Sequence, residues 1–245
     1  VNLYQPTEIE RQAYKDISIC ILSPCKDYYT SAKFARSMAN MICYSWLNGL
    51  KIHLFGMTER MVVHWARNAL ARQAKEKLSE FTGKKFTHLL WLDDDHVFNP
   101  DLACWLAQYH ERDMVSALYY MRAGEPFPVV YTRQDADKED VYRHNPIVIP
   151  PNVLFECDAV GFGALMMRRD VLDRVPEPWF TFQDAGEDIA FCVQAKKHGI
   201  KIFCDPQYKL GHIGDPAIIT ESTYDQYMAK NRDSLGEVRK VAFNT

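Results

Sequence analysis

The chain has no excess of positive charge: 29 Lys and Arg stand against 32 Asp and Glu, for a net charge of −3. A protein that grips nucleic acid or an anionic membrane with its whole surface needs a cationic field, so that class is excluded and only a local basic groove remains open. No apolar run approaches the ~20 residues needed to span a bilayer, so no membrane span is expected. The opening stretch VNLYQPTEIERQ also lacks the charged-then-apolar pattern of a signal peptide. The seven cysteines (20, 25, 43, 104, 157, 192 and 204) are odd in number, form no CxxC pair, and lie mostly in apolar runs. That argues against a zinc site or a disulfide framework and for reduced, buried thiols. Internal repeats and flexible linkers are absent too. These absences predict a soluble, cytoplasmic protein.

What is present is an ordinary globular balance, 47% hydrophobic and 25% charged, in 245 residues that suffice for one large domain. ISICILS (17–23) is a β-branched apolar run closed by Pro24, which predicts a buried strand and its exit. Residues 30–47 carry Phe34, Met38, Met41 and Ile42 at helical spacing, and LKIHLFG (50–56) predicts a second strand. A long helix is expected from Glu59 to about Phe81, with Met61, Trp65, Ala69 and Leu78 toward the core and Arg67, Arg72, Lys75 and Lys77 elsewhere. KFTHLLWL (85–92) and DMVSALYY (113–120) are further strands, separated by a helix that Asn99 caps and Pro100 opens. This alternation predicts an α/β fold, a mostly parallel sheet with helices on both faces in a single domain. Residues 1–16 form an N-terminal extension, 17–215 the domain, 122–152 a polar, proline-rich insertion within it, and 216–245 a helical tail. Late in the domain, GEDIAFCVQAKKHG is a helix stopped by Gly199, followed by the strand IKIFCD (200–205).

The stretch FTHLLWLDDDHVFNP (86–100) sets three aspartates directly after the most apolar strand. Like charges that close repel, so solvent, a helix N-terminus or a metal ion must offset them. If the extended pleat continues, Asp93 and Asp95 point one way and Asp94 the other. Two carboxylates on one side suit a hard divalent cation, while a solvated turn beside a helix dipole is the plainer explanation. DAVGFGALMM (158–167) holds Gly161 and Gly163, which either shape a hairpin or let a ligand approach the backbone. Glu187 and Asp188 open a helix, as dipole partners or with one of them as a general base. His212 lies between two glycines after the last strand, in a loop of unusual backbone or beside a ligand.

In this order the features resemble the GT-A glycosyltransferases, most of all the family-2 type and its small phage-encoded versions, in which ARNALARQA likewise precedes the DxD strand. The likeness spans roughly residues 17–215 and rests on LLWLDDDHVF, DAVGFGALMMRRDVL and GEDIAFCVQAKKHGIKIFCDP. It implies a Rossmann-like GT-A fold and transfer of a sugar from a nucleoside diphosphate sugar, UDP-linked, to a hydroxyl with inversion. Asp93 and Asp95 would hold Mn²⁺ or Mg²⁺ with His212, a mixed oxygen and nitrogen set that favours Mn²⁺. Asp188 would be the base, and Glu187 would orient its helix or a sugar hydroxyl. Ser23, Pro24 and Lys26 would border the nucleotide, Arg67 the diphosphate, and Asp94, Gly161 and Gly163 complete the donor site. The phage-type likeness makes hydroxymethylpyrimidine DNA a candidate acceptor, in a host cytoplasm, beside a glycan or a small molecule. Arg168, Arg169, Arg174, Lys196 and Lys197 are candidates for a basic patch. Arg122, Arg133, Arg143, His144, Tyr131 and Tyr142 give the insertion a basic and aromatic mix suited to choosing the acceptor. Asp94 leaves the register of the DxD ambiguous, and a basic loop carried by some relatives is not evident. Two rivals stay open: a metal-dependent nucleotidyl or phosphoryl transferase, and a non-catalytic nucleotide-sugar or glycan-binding protein.

Overall fold

The structure, a computed structural model, describes residues 2–27, 29–77, 79, 83–133, 144–182, 186–214 and 218–231. In chain order the elements are α1 (Glu8–Ala13), β1 (Ser18–Cys25), α2 (Ala32–Leu47), β2 (Lys51–Glu59), α3 (Val63–Glu76), β3 (His88–Leu92), β4 (His96–Val97) and α4 (Leu102–Ala107). There follow β5 (Met114–Leu118), β6 (Val130–Arg133), β7 (His144–Pro146), β8 (Phe155–Cys157), β9 (Ala159–Val160), β10 (Ala164–Arg168) and α5 (Val171–Arg174). The last are α6 (Glu187–Lys197), β11 (Ile202–Lys209), β12 (Gly211–Ile213), β13 (Ile218–Ile219) and α7 (Glu221–Asn231).

Seven strands form the main sheet in the order β2-β1-β3-β10-β5-β11-β8. β10 runs antiparallel to both β3 and β5, so those two share a direction with β1, β2 and β11, and the sheet is mostly parallel. Strand alternation sorts the core into two layers. Leu89 and Trp91 of β3 face α3, α5 and α6, whereas Leu90 and Leu92 face α2 and α4. A sheet covered on both faces must be apolar on both, which is why these strands appear as unbroken hydrophobic runs. The predicted α/β sheet with helices on both faces is the fold observed. Two small three-stranded sheets, β13-β12-β4 and β7-β6-β9, flank it. All seven cysteines are free, and all but Cys43 are buried. Among the described residues no helix is long and apolar enough to cross a membrane.

Several predicted boundaries shift, each for a visible reason. Pro24 does not end β1, and Gly56 does not end β2. Parallel pairing of Pro24 with Thr58 and of Cys25 with Glu59 keeps both strands extended. Arg60, at φ 52°, then turns the chain. The helix expected from Glu59 therefore starts at Val63, and its buried face is rotated. Met61 and Trp65 are exposed, while Ala66, Arg67, Leu70, Ala71 and Ala74 are buried; Leu78 lies outside the described residues. Asn99 and Pro100 form a turn rather than a cap, and the helix begins at Leu102 after Asp101. The Asp101 carboxylate instead accepts from Tyr208 Oη (2.9 Å) and the Tyr4 amide (2.6 Å). The N-terminal extension packs against the same region, with Tyr14 fully buried and donating to the Cys104 carbonyl. Of the expected helical tail, α7 is described and 232–245 lies outside the described residues.

The rotated face of α3 is directly testable. Leu70→Ala should cost about 2–5 kcal/mol by loss of packing and creation of a cavity, whereas Trp65→Ala should stay within about 0.5 kcal/mol. Urea unfolding of both variants, followed by circular dichroism, compares the two.

Candidate functional site

Arg67 is buried, with 2% of its surface exposed. Its Nη2 donates to both oxygens of Asp93 (2.9 and 3.2 Å), and its Nε donates to Glu187 Oε1 (3.0 Å). The guanidinium carbon lies 5.7 Å from the Trp91 ring and 5.4 Å from the Phe162 ring, so two aromatic rings pack against the cation. One cation thus ties the carboxyl end of β3 to the first turn of α6. Sequence reasoning set Arg67 off the core face because it is charged. A buried arginine is admissible only when carboxylates meet it, and those two lie far away in the chain.

Asp188 follows Glu187 and is half-buried. Burial first, and then the Glu187 charge, push its carboxyl up to about 7 against the pull of Arg67. Asp94 is also raised, to about 6, by burial and by the charges of Asp95 and Asp93. Asp95 behaves oppositely. Burial would raise it, but the His212 contact and the nearby cationic groups hold it at about 2.

The small sheet β13-β12-β4 explains the second cluster. Antiparallel pairing sets His212 of β12 directly opposite His96 of β4, with ring centroids 4.4 Å apart. His212 Nδ1 donates to the Tyr120 carbonyl (2.7 Å), so its Nε2 faces Asp95 Oδ2 at 3.4 Å. Arg122 Nη1 reaches the same oxygen at 2.5 Å. Asp95, His96 and His212 form a group whose ligand atoms lie within 4.8 Å of one another. His96, fully buried, was missed from sequence, although it directly follows the aspartates. Gly161 and Gly163 serve this packing. A Cβ on Gly163 would fall on His96 Nε2 and the Tyr119 ring, and one on Gly161 on the Tyr119 hydroxyl. That hydroxyl accepts the Gly163 amide at 3.1 Å.

The other expected residues are placed as follows. Asp93 faces Arg67 rather than the Asp95 group. Ser23 and Pro24 are buried in β1, and Lys26 is exposed just beyond it. The expected basic patch is divided. Arg168 pairs with His88 at the start of β3, the edge opposite the aspartates, where it meets Asp170. Arg169 and Arg174 meet Asp173 and Asp113 in the same region. Lys196 and Lys197 end α6. Arg143 and Tyr142 lie outside the described residues.

No protein-family model matches the chain, and no curated protein matches it. Among solved structures, A197 from STIV is 20% identical with a TM-score of 0.53, over 83% of this chain and 93% of that one. At that identity the likeness is one of fold. S. aureus TarS is 14% identical with a TM-score of 0.45, over 93% of this chain and 46% of that one. A glycosyltransferase involved in the glycosylation of the major capsid of PBCV-1 is 17% identical with a TM-score of 0.35, over 67% of this chain and 70% of that one. The last two superpose too loosely to bear on this chain's chemistry.

Removing Arg67 should leave two carboxylates facing each other without a counter-charge. Arg67→Ala is expected to destabilise the fold by about 3–5 kcal/mol, and Gly163→Ala by about 1–3 kcal/mol through overpacking against His96. Thermal unfolding monitored by calorimetry measures both.

Proposed function

We propose that the chain is a metal-dependent, inverting glycosyltransferase that moves a sugar from a UDP-linked donor to an acceptor hydroxyl, with a hydroxymethylated DNA base as the candidate acceptor. The observation that carries the reading is the Arg67 bridge between Asp93 and Glu187. It brings the acidic end of a parallel strand together with a helix-initial carboxylate pair, at the carboxyl ends of the strands, where ligands bind in open α/β sheets.

The residues present fit a divalent cation. With its Nδ1–H donated to Tyr120, a neutral His212 turns a lone pair toward Asp95 Oδ2, an oxygen that Arg122 Nη1 meets at 2.5 Å, so a bound ion would take the place of Arg122 there. Asp95 Oδ1 and His96 Nε2 are buried with no hydrogen-bond partner. Asp95 and His212 would hold the ion, with His96 behind them, and a mixed oxygen and nitrogen set favours Mn²⁺ over Mg²⁺. Bound there, the ion supplies positive charge to the departing diphosphate.

The chain's own groups do the rest. Departure of the diphosphate leaves the sugar oxocarbenium-like, and the acceptor oxygen attacks its anomeric carbon as Asp188 takes the hydroxyl proton. Burial favours this: a carboxylate raised to about 7 is a far better base than one at an ordinary value. Arg67 holds Glu187 in place beside it.

Asp95→Asn is expected to lower donor hydrolysis by about 10²–10³ while the circular dichroism spectrum is retained. EDTA should abolish turnover and Mn²⁺ restore it; full activity in EDTA would remove the metal. Asp188→Asn should bind donor normally in titration calorimetry and fail to transfer. Because the base works only when unprotonated, the wild-type rate should climb with pH and level off above about 7. A rate flat across that range would exclude Asp188 as the base. A panel of nucleotide sugars with Mn²⁺ alone, scored for slow hydrolysis, identifies the donor.

A further inference from the structure

Two arginines meet the aspartates at the end of β3, and they differ in kind. The Arg67 side chain is 3% exposed and is gripped by Asp93 and Glu187 together. The Arg122 side chain is 46% exposed and reaches a single carboxylate oxygen, Asp95 Oδ2, through Nη1 at 2.5 Å. Among the described residues it meets no second carboxylate. An arginine buried between two carboxylates cannot leave without stranding charge, whereas a half-exposed ion pair is weak and exchanges readily with solvent.

The oxygen that Arg122 touches is also the one that faces His212 Nε2, at 3.4 Å. An ion held by Asp95 and His212 would press against the guanidinium, and like charges at contact distance repel. The side chain must then move, but its backbone is anchored. The Met121 amide donates to the Phe127 carbonyl (2.9 Å), Tyr120 forms a β-bridge with Pro128, and the Tyr120 ring stacks on Tyr224 with centroids 5.2 Å apart. The Tyr120 carbonyl is also the acceptor that orients His212. Arg122 therefore hangs two residues from the group that aims a metal ligand, and once displaced it stays within its own side-chain length of the ion. What lies there in the transferase reading is the donor's diphosphate, whose oxygens match a guanidinium fork.

We propose that Arg122 is a donor-positioning residue: it neutralises Asp95 while the ion is absent, yields that place to the ion, and then binds the donor's diphosphate. The inference rests on the metal-dependent reading of this site. Metal and donor each favour the released arginine, so they bind cooperatively, and by linkage each raises the other's affinity by the same factor.

The test uses the full chain and two binding measurements. Mn²⁺ affinity without nucleotide is read from the electron paramagnetic resonance signal of the free ion, and UDP affinity at saturating Mn²⁺ from titration calorimetry. Arg122→Gln keeps the side-chain length and removes the charge. It is expected to tighten Mn²⁺ about fivefold, by removal of one partly exposed ion pair, and to weaken UDP about tenfold, by loss of one charged hydrogen bond. Arg122→Lys keeps a charge without the fork, so its Mn²⁺ affinity should stay near that of wild type while UDP binding is still weakened. Tighter Mn²⁺ binding by Arg122→Gln also reports that the variant folds. Equal or weaker Mn²⁺ binding in that variant overturns the proposal and leaves the metal site standing, with Arg122 as a brace for Asp95. Unchanged UDP affinity overturns the donor role. Binding of Mn²⁺ by Arg122→Gln but not by wild type supports the proposal; saturable binding by neither sinks the metal-dependent reading and this inference with it.

Discussion

One buried guanidinium holds the candidate site together. Arg67 has Asp93 on one side and Glu187 on the other, and packs against the touching rings of Trp91 and Phe162. The guanidinium is almost fully withdrawn from water and is admissible only because carboxylates meet it, while the two less buried carboxylates are held in place by it. The consequence is geometric as well as energetic. The carboxyl end of β3 and the start of α6 cannot separate without uncovering a charge, and Asp188 is carried into place by its neighbour. The same charges set its chemistry, since burial and Glu187 raise its carboxyl while Arg67 limits the rise.

Around this centre the ionisable groups divide by environment. Asp95 is held far down by His212 and neighbouring cations even though it is largely buried, and Asp94 beside it is pushed up. Adjacent residues of one type thus differ in character because the backbone sends them to different surroundings, which is how functional sites come to hold groups with separated pKa values. The glycines of the VGFG stretch serve that arrangement at a distance. They leave room for Tyr119 and His96, and these two rings back His212.

The helix α6 links two chemically opposite regions. Its first turn is acidic and meets Arg67, while its last turn is basic and lines a cavity of 230 Å³ with Arg133, His144 and Asp158. Each end suits the helix dipole, so the charges stabilise the helix as well as whatever they bind. The insertion touches both regions, through Arg122 at Asp95 and Arg133 at the far cavity.

The apolar pattern alone dictates the layer architecture, because a doubly covered sheet demands unbroken apolar strands and amphipathic helices between them. It also placed Asp93–Asp95 at a strand end and Glu187–Asp188 at a helix start, since both follow from local pattern. Helix phase was not local. Pairing of β1 with β2 kept residues up to Glu59 extended and turned Arg67 inward, against the expectation that a charged residue faces out. The partners of each aspartate were not local either. Asp93 finds Arg67 and Asp95 finds His212 only after strands distant in the chain pair, and His96 joined the group only because β4 lies opposite β12. Periodicity reports which face of an element is apolar, but a buried charge is stabilised by whatever opposite charge the fold brings to it, and that is decided in three dimensions.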